Sequence, residues 1–410
     1  RNVALIVTAI YDNTFFQIVD DNADGDDDDS VSGILQAGQS YILYIKDNGI
    51  NDDARYASGG TLKADGDYFI INSDKNVFAS MSTDSDWQHD FVPAVNKTSL
   101  GQKFIIYAPK ISNSKRDLNV FAFEDNTAVT ISKISSQATL QTGYTNIDLD
   151  NKTIVRQRSL NRGQDIVHFF QDGRDVMESG ETYMIESNKP VSVQYGALWG
   201  NARDGGGYVP SSNGSSSGSL FYFAVPYQAV GEQEIRYVSW DDDNAVTLER
   251  YDNGNWVTMK SQNLNRLKYG DWIGKQNGNV AHAAVFRIQC TPGKRVSVFE
   301  CNWMETGSPG TSDMASMISS ESGTDSGQEF LVYLLPPGKQ DNVVNPFTSS
   351  VFGGSFSHCY LFADNQNANV TIKDAKTNGN VISRTYQIEA GRYADAFFSL
   401  AEWRSIYNGD

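Results

Sequence analysis

The sequence predicts an all-β protein: a tandem array of immunoglobulin-like β-sandwich modules. Three observations predict it. Apolar residues come in short runs, aromatic and β-branched, several alternating with period two (104–108, 119–123, 128–132, 182–186, 191–195). That is strand periodicity, and helical periodicity is almost absent. Gly, Asn, Asp and Pro bound these runs, as turns require. Finally, a four-piece motif recurs in one order, at a spacing of about 100–150 residues, the size of a small domain. Helical solenoid repeats are shorter, at about 20–50 residues.

Residues 101–199 hold the best-preserved complete unit. Its first piece is Gly101-Gln-Lys-Phe-Ile-Ile-Tyr-Ala-Pro109, echoed at 218–226 and 327–336. The second is an apolar run ending in Asp125-Asn126, echoed at 3–14, 235–245 and 359–365. The third, Leu160-Asn-Arg-Gly163, is echoed at 35–38, 267–270 and 388–391. The fourth is a turn carrying Lys189, an alternating strand and Trp199, echoed at 73–87 and 292–303. The unit reads as about seven strands in roughly 100 residues, the strand number and size of an immunoglobulin-like sandwich. Asp-Asn between two strand runs reads as a hairpin turn, because both residues tolerate positive φ. The alternative architecture is a β-propeller with each half-unit forming a four-stranded blade.

Module boundaries follow from the repeats: 1–98, 99–210, 218–320 and 327–410. The Gly/Ser-rich stretch 203–218 reads as a linker, and 88–101 and 305–327 separate the other units. The first copy starts at piece two and the last stops after piece three, so both end modules read as incomplete. Unpaired edges invite a strand from another chain.

Composition narrows the function. The chain has 410 residues, 40% hydrophobic, with 20 Tyr, 21 Phe and a formal net charge of −17. That charge argues against nucleic-acid partners, whose binders carry a basic footprint. An acidic extracellular surface that holds divalent cations fits. No run of 18 apolar residues marks a transmembrane helix. There is no signal peptide, and the chain enters a strand directly from Arg1, so it reads as processed or trimmed. Cys290, Cys301 and Cys359 are too few for a disulfide scaffold. Asn96, Asn151, Asn213 and Asn369 open Asn-x-Ser/Thr sequons.

Taken together, the four pieces resemble the amino-terminal domain family of the IgGFc-binding proteins. The matching positions are Gly101, Phe104 and Pro109; Asp125, Asn126, Thr127 and Val129; Leu160 and Gly163; and Ser187, Asn188, Lys189, Pro190 and Val191. The third unit departs from the pattern, with Asn244-Ala245 in place of Asn-Thr. Asn76 and Arg295 stand in place of the proline. The resemblance implies an extracellular β-repeat protein. Its signatures are structural and carry no catalytic residue.

Each candidate site has a plainer reading beside it. Asp20, Asn22, Asp24, Asp26 and Asp28 alternate around Gly25. Alternate carboxylates with a glycine at the bend are what a Ca²⁺ loop needs. Val31 stands where an EF-hand has Glu, so the expectation is a loop site of extracellular β-proteins, against a solvated acidic hairpin tip. Asp47, Asn51, Asp52 and Asp53 form a second, weaker metal candidate. Trp87, Trp199 and Trp303 each close a fourth piece. They read as a glycan-stacking platform or, more plainly, as plugs in a core or junction. The four histidines are isolated, and no zinc spacing, nucleophile elbow or phosphate loop occurs.

These readings converge on a non-catalytic, secreted cell-surface protein, structural or adhesive. It is expected to self-assemble into a filament or surface layer by completing β modules, with copies of itself as partners and Ca²⁺ stiffening its loops. The alternative is a monomeric adhesin or binding module for a glycan, a mucin-like ligand or another protein.

Overall fold

The structure is a computed structural model. It describes residues 3–20, 30–44, 56–57, 61–62, 69–83, 89–92, 100–108, 117–134, 152–162, 180–196, 207–209, 216–225, 232–274, 284–303, 314–317, 328, 356–374, 379, 381–399, 402 and 405. The protein is all-β, built of small antiparallel sheets, consistent with β-sandwiches. Among the described residues the sheets close into neither barrel nor propeller.

The first module holds β1 (Val3–Ala9), β2 (Thr14–Asp20), β3 (Ser30–Leu35), β4 (Ser40–Tyr44), β5 (Tyr56–Ala57), β6 (Thr61–Leu62), β7 (Phe69–Ser73), β8 (Val77–Thr83) and β9 (His89–Phe91). Its two layers have the orders β4-β1-β8-β9 and β3-β2-β7, and β5 and β6 pair as a ribbon. The second module holds β10 (Gly101–Tyr107), β11 (Asp117–Ala122), β12 (Thr127–Ile134), β13 (Lys152–Leu160), β14 (Thr182–Gly196) and β15 (Gly207–Val209). Its main order is β10-β14-β12-β13, and β11 and β15 flank the far half of β14. One strand of 15 residues therefore belongs to both layers.

The third module holds β16 (Leu220–Val225), β17 (Glu232–Ser239), β18 (Asn244–Asp252), β19 (Asn255–Leu264), β20 (Tyr269–Gly274), β21 (Ala284–Cys290), β22 (Val296–Trp303) and β23 (Met314–Ser316). Its layers are β16-β21-β18-β19 and β20-β17-β22-β23. The fourth shows β24 (Phe356–Ala363) paired with β27 (Arg392–Ser399), and β25 (Ala368–Lys373) paired with β26 (Ser383–Ile388). Strands adjacent in sequence often lie in different layers, as in a sandwich and unlike the meander of a blade.

The inward positions repeat with period two. Phe16 and Ile18 on β2, Val129 and Ile131 on β12, and Val246 and Leu248 on β18 are all buried, with the residues between them more open. A one-residue slip would turn each pair to solvent, so burial fixes register.

β10 breaks the alternation: Phe104, Ile105, Ile106 and Tyr107 are all buried. One face covers its own module. The other meets the third module, because a single apolar cluster joins Phe104, Ile131 and Val193 to Val238, Trp240, Leu267, Tyr269 and Phe299. The second and third modules thus share a core. A strand buried on both faces reads as a continuous apolar run, which is what 104–108 is.

Candidate functional site

Three of the four sequence pieces converge at one end of the first, second and third modules in a hydrogen-bonded clasp. In the first module Lys75 donates to the carbonyls of Asp12 and Asn13, at 2.7 and 2.9 Å. In the third, Lys294 donates to those of Asp242 and Asp243, both at 2.8 Å. In the second, Lys189 donates to the Asp125 carbonyl. The turn aspartates answer in kind: Asp12, Asp125 and Asp242 accept from the backbone N–H of Ala37, Arg162 and Arg266, at 3.0, 3.0 and 3.1 Å. Asn13, Asn126 and Asp243 hold φ of 53, 56 and 50°, a left-handed turn that Asn and Asp tolerate. The motif therefore recurs because it is a structural staple. A lysine reaching two carbonyls satisfies acceptors that a tight turn leaves without backbone partners.

Two sequence alignments need correction. Asn244 does not continue the turn; it fills the buried threonine place, paired with Leu264 as Thr14 pairs with Leu35 and Thr127 with Leu160. All three side chains are fully buried. The third piece of the third module is 264–267, not 267–270. Leu267 N–H donates to the Ser239 carbonyl just as Gly38 donates to Ala9 and Gly391 to Ala363, each at 2.7–2.8 Å. Leu267 has φ 58° where those glycines have 76 and 72°. Left-handed backbone costs a β-carbon residue about 1–2 kcal/mol. The leucine side chain repays that by sitting in the shared core between modules. Gly270 is no turn residue. It lies in β20 opposite Tyr237, and a Cβ there would fall 2.4 Å from the Tyr237 ring and 2.1 Å from Gln262 Oε1.

The junction between the second and third modules carries a buried charge network. Glu234 and Arg236 are two apart on β17, so both leave the same face; Ile235 and Tyr237 enter the third module's own core. Tyr107 of β10 donates its hydroxyl to both Glu234 oxygens. Arg236 donates to Glu234 Oε1 at 3.0 Å and to the Gly180 carbonyl at 2.9 Å. Its guanidinium carbon stands 3.7 Å from the Tyr107 ring centroid and 4.1 Å from that of Tyr269. The ring faces favour the cation, and Asp271 adds a more distant carboxylate. The chemistry is that of a specific, desolvated joint.

The third and fourth modules meet through rings. Tyr222 stacks on Phe362 at 5.8 Å, Tyr251 meets Tyr393 edge-on, and Trp256 Nε1 donates to the Gly391 carbonyl at 3.0 Å. Arg392 reaches the Tyr251 hydroxyl and the Gly254 carbonyl. Burial raises the Tyr222 and Tyr393 phenols above their ordinary values. Between the first and second modules Gln194 donates to the Met81 sulfur at 3.2 Å.

Most of the predicted site residues are not among those described. Asn22, Asp24, Asp26, Asp28, Asp47, Asn51, Asp52, Asp53, Trp87 and Trp199 lie outside the described residues, as do the side chains of Asp20 and Trp303. Trp303 ends β22, its backbone opposite Glu232. Among the described residues no group of three or more His, Cys, Asp or Glu could hold a metal. Cys290 and Cys359 are thiols, and Asn369 is exposed on β25. No helix among the described residues is long and apolar enough to cross a membrane.

Sequence reasoning missed the junctions. The joint between the second and third modules does leave one trace, the continuous apolar run 104–108, which marks a strand buried on both faces.

No protein-family model and no curated protein matches the chain. Among solved structures, one similar chain is described as an anti-sigma factor domain-containing protein. It is 10% identical, with 77% of this chain and 81% of that chain covered, at a TM-score of 0.16. A likeness that slight carries no argument about fold or function.

Proposed function

We propose that this protein is a non-catalytic structural component of an extracellular or cell-surface layer, assembling with copies of itself by completing β modules. The observation that carries the reading is the joint between the second and third modules. Two modules that share a core and bury Glu234 and Arg236 between them behave as one stiff body. Stiffness is what a load-bearing array needs, whereas a flexible string of binding modules would be joined by exposed, polar contacts. In this reading Ca²⁺ held by Asp20, Asn22, Asp24, Asp26 and Asp28 stiffens the acidic loop and neutralises part of the charge. The test is electron microscopy of the purified protein with and without a Ca²⁺ chelator. Regular fibres or sheets that loosen on chelation are expected. Monodisperse particles indifferent to the chelator would overturn both assembly and the metal.

A further inference from the structure

Apolar side chains scattered singly over a surface are ordinary. Two places on the described strands bring exposed apolar side chains together. On the outer face of the first module, Phe15 of β2 opposes Ile34 of β3, and they are 42% and 65% exposed. On β13 of the second module, Ile154 and Val155 are neighbours, 56% and 37% exposed.

The internal repeat shows that the fold requires neither group. Thr14–Leu35, Thr127–Leu160, Asn244–Leu264 and Ala368–Ile388 are equivalent cross-strand pairs. One residue further on, Phe15 and Ile34 face each other in the first module. The same place holds Ala128 and Ser159 in the second, Ala245 and Asn263 in the third, and Asn369 and Gln387 in the fourth. Small or polar residues therefore serve that hairpin equally well. Ile154 and Val155 sit where β13 bulges, and the matching bulge of β19 holds Thr258 and Met259. Met259 packs on its own module's core, whereas Val155 stays open.

Charge sets the two surroundings apart. Residues 1–98 carry seventeen Asp against six Lys and Arg. One of these, Asp74, accepts the Phe15 N–H at 2.8 Å, so a carboxylate stands beside the apolar pair. Residues 99–210 are balanced, with twelve acids and twelve Lys and Arg, but 151–164 hold four of the bases and no acid. Arg158 on β13 and Arg162 just beyond it are exposed. One apolar group thus lies in the most acidic module and the other on a basic strand. Both are open within a single chain, so they do not cover each other there. Two copies of the first module set face to face would bring like charges together, which leaves the basic strand as the complementary surface that this chain itself supplies.

We propose that a second copy covers the Phe15–Ile34 face of the first module with the Ile154–Val155 stretch of its β13, its Arg158 and Arg162 lying toward the acidic module. The contact is heterologous. Each copy keeps one face and one strand uncovered, so the contact propagates instead of closing into a pair. Burial of the apolar groups supplies attraction, and the charges choose the partner and its orientation. This rests on the self-assembly reading above and adds a side-chain contact to it.

The test uses the full chain. Ile34→Cys and Ile154→Cys, both at exposed positions, are mixed and treated with a short bismaleimide. Links are located by digestion and mass, so any that involve Cys290, Cys301 or Cys359 are told apart. A link between position 34 of one copy and position 154 of another is expected. Its yield should be several-fold above that of Ile34→Cys mixed with Val257→Cys, whose position on the third module is comparably open at 45%. High salt should lower the yield several-fold, because surface charges are screened. A yield no higher than the Val257 control would overturn the proposal. So would 34–34 links formed as readily by Ile34→Cys alone, or a yield indifferent to salt. Fibres without the 34–154 link would remove this contact and leave assembly standing. The link without fibres would support the contact and count against the filament alone. Neither fibres nor link would remove both.

Discussion

Tyr107 on β10 donates its hydroxyl to both carboxylate oxygens of Glu234 on β17, at 2.8 and 2.7 Å, across the boundary between two modules. Neither residue is exposed. Arg236 supplies the compensating charge, so the three groups stand or fall together.

The first prediction follows from that dependence. Arg236→Met leaves Glu234 buried without its cation and should cost about 3–5 kcal/mol. Tyr107→Phe removes a neutral donor to a charged acceptor and should cost about 1.5–3 kcal/mol. Replacing the pair together, Glu234→Leu with Arg236→Met, should cost less than Arg236→Met alone. Urea unfolding of the four proteins reads this directly. A double variant no more stable than Arg236→Met alone would show that the network is not a unit.

A second prediction concerns Leu267. Leu267→Ala loses the side chain from the shared core, a loss of about 2–5 kcal/mol, and keeps the left-handed backbone. Leu267→Gly loses the same contacts but relieves the strain. The glycine variant should therefore be the more stable of the two by about 1 kcal/mol, the reverse of the ordinary order. Thermal unfolding of both variants decides it.

The clasp makes a third. Lys294→Met removes two charge-assisted hydrogen bonds to the Asp242 and Asp243 carbonyls and should cost about 1.5–3 kcal/mol. Hydrogen exchange should rise at Arg266 and Ala245, whose N–H groups are held by Asp242 and Thr291 in the same clasp, and stay unchanged in β12. Uniform loosening would mean that the clasp has no local role.

Alkaline pH gives a fourth. Burial, with the Asp271 charge adding to it, holds the Tyr237 phenol well above its ordinary value. The unfolded chain therefore loses this proton first. Its contribution to stability is complete below about pH 10 and is lost as pH climbs from there through the folded value. Tyr237→Phe should flatten the fall in stability above about pH 10. Equal slopes in wild type and variant would show that Tyr237 is not the group responsible.

Strand content and the turns were legible in the sequence because they rest on local chemistry. Asp125-Asn126 between two apolar runs can do little but turn. The third module's register was not legible: Leu267 takes the place that Gly38 and Gly391 hold, and no sequence pattern announces a leucine at positive φ. Its neighbour Gly270 drew the alignment three residues off, though its small size answers Tyr237 rather than a turn. The junction was hidden for a different reason. Polar residues alternating with apolar ones on a strand ordinarily mark a solvent face, so Glu234 and Arg236 read as surface until the second module is seen lying over them.

β14 runs unbroken from one layer of its module into the other, while its counterparts β21 and β22 are parted by the turn at 291–295. Under tension the two cases differ. The third module has a joint at which one layer can peel while the other holds. The second has no such fuse, and force carried along β14 must strip both layers in a single event. Stretched by its ends, the chain should therefore yield at its third module before its second.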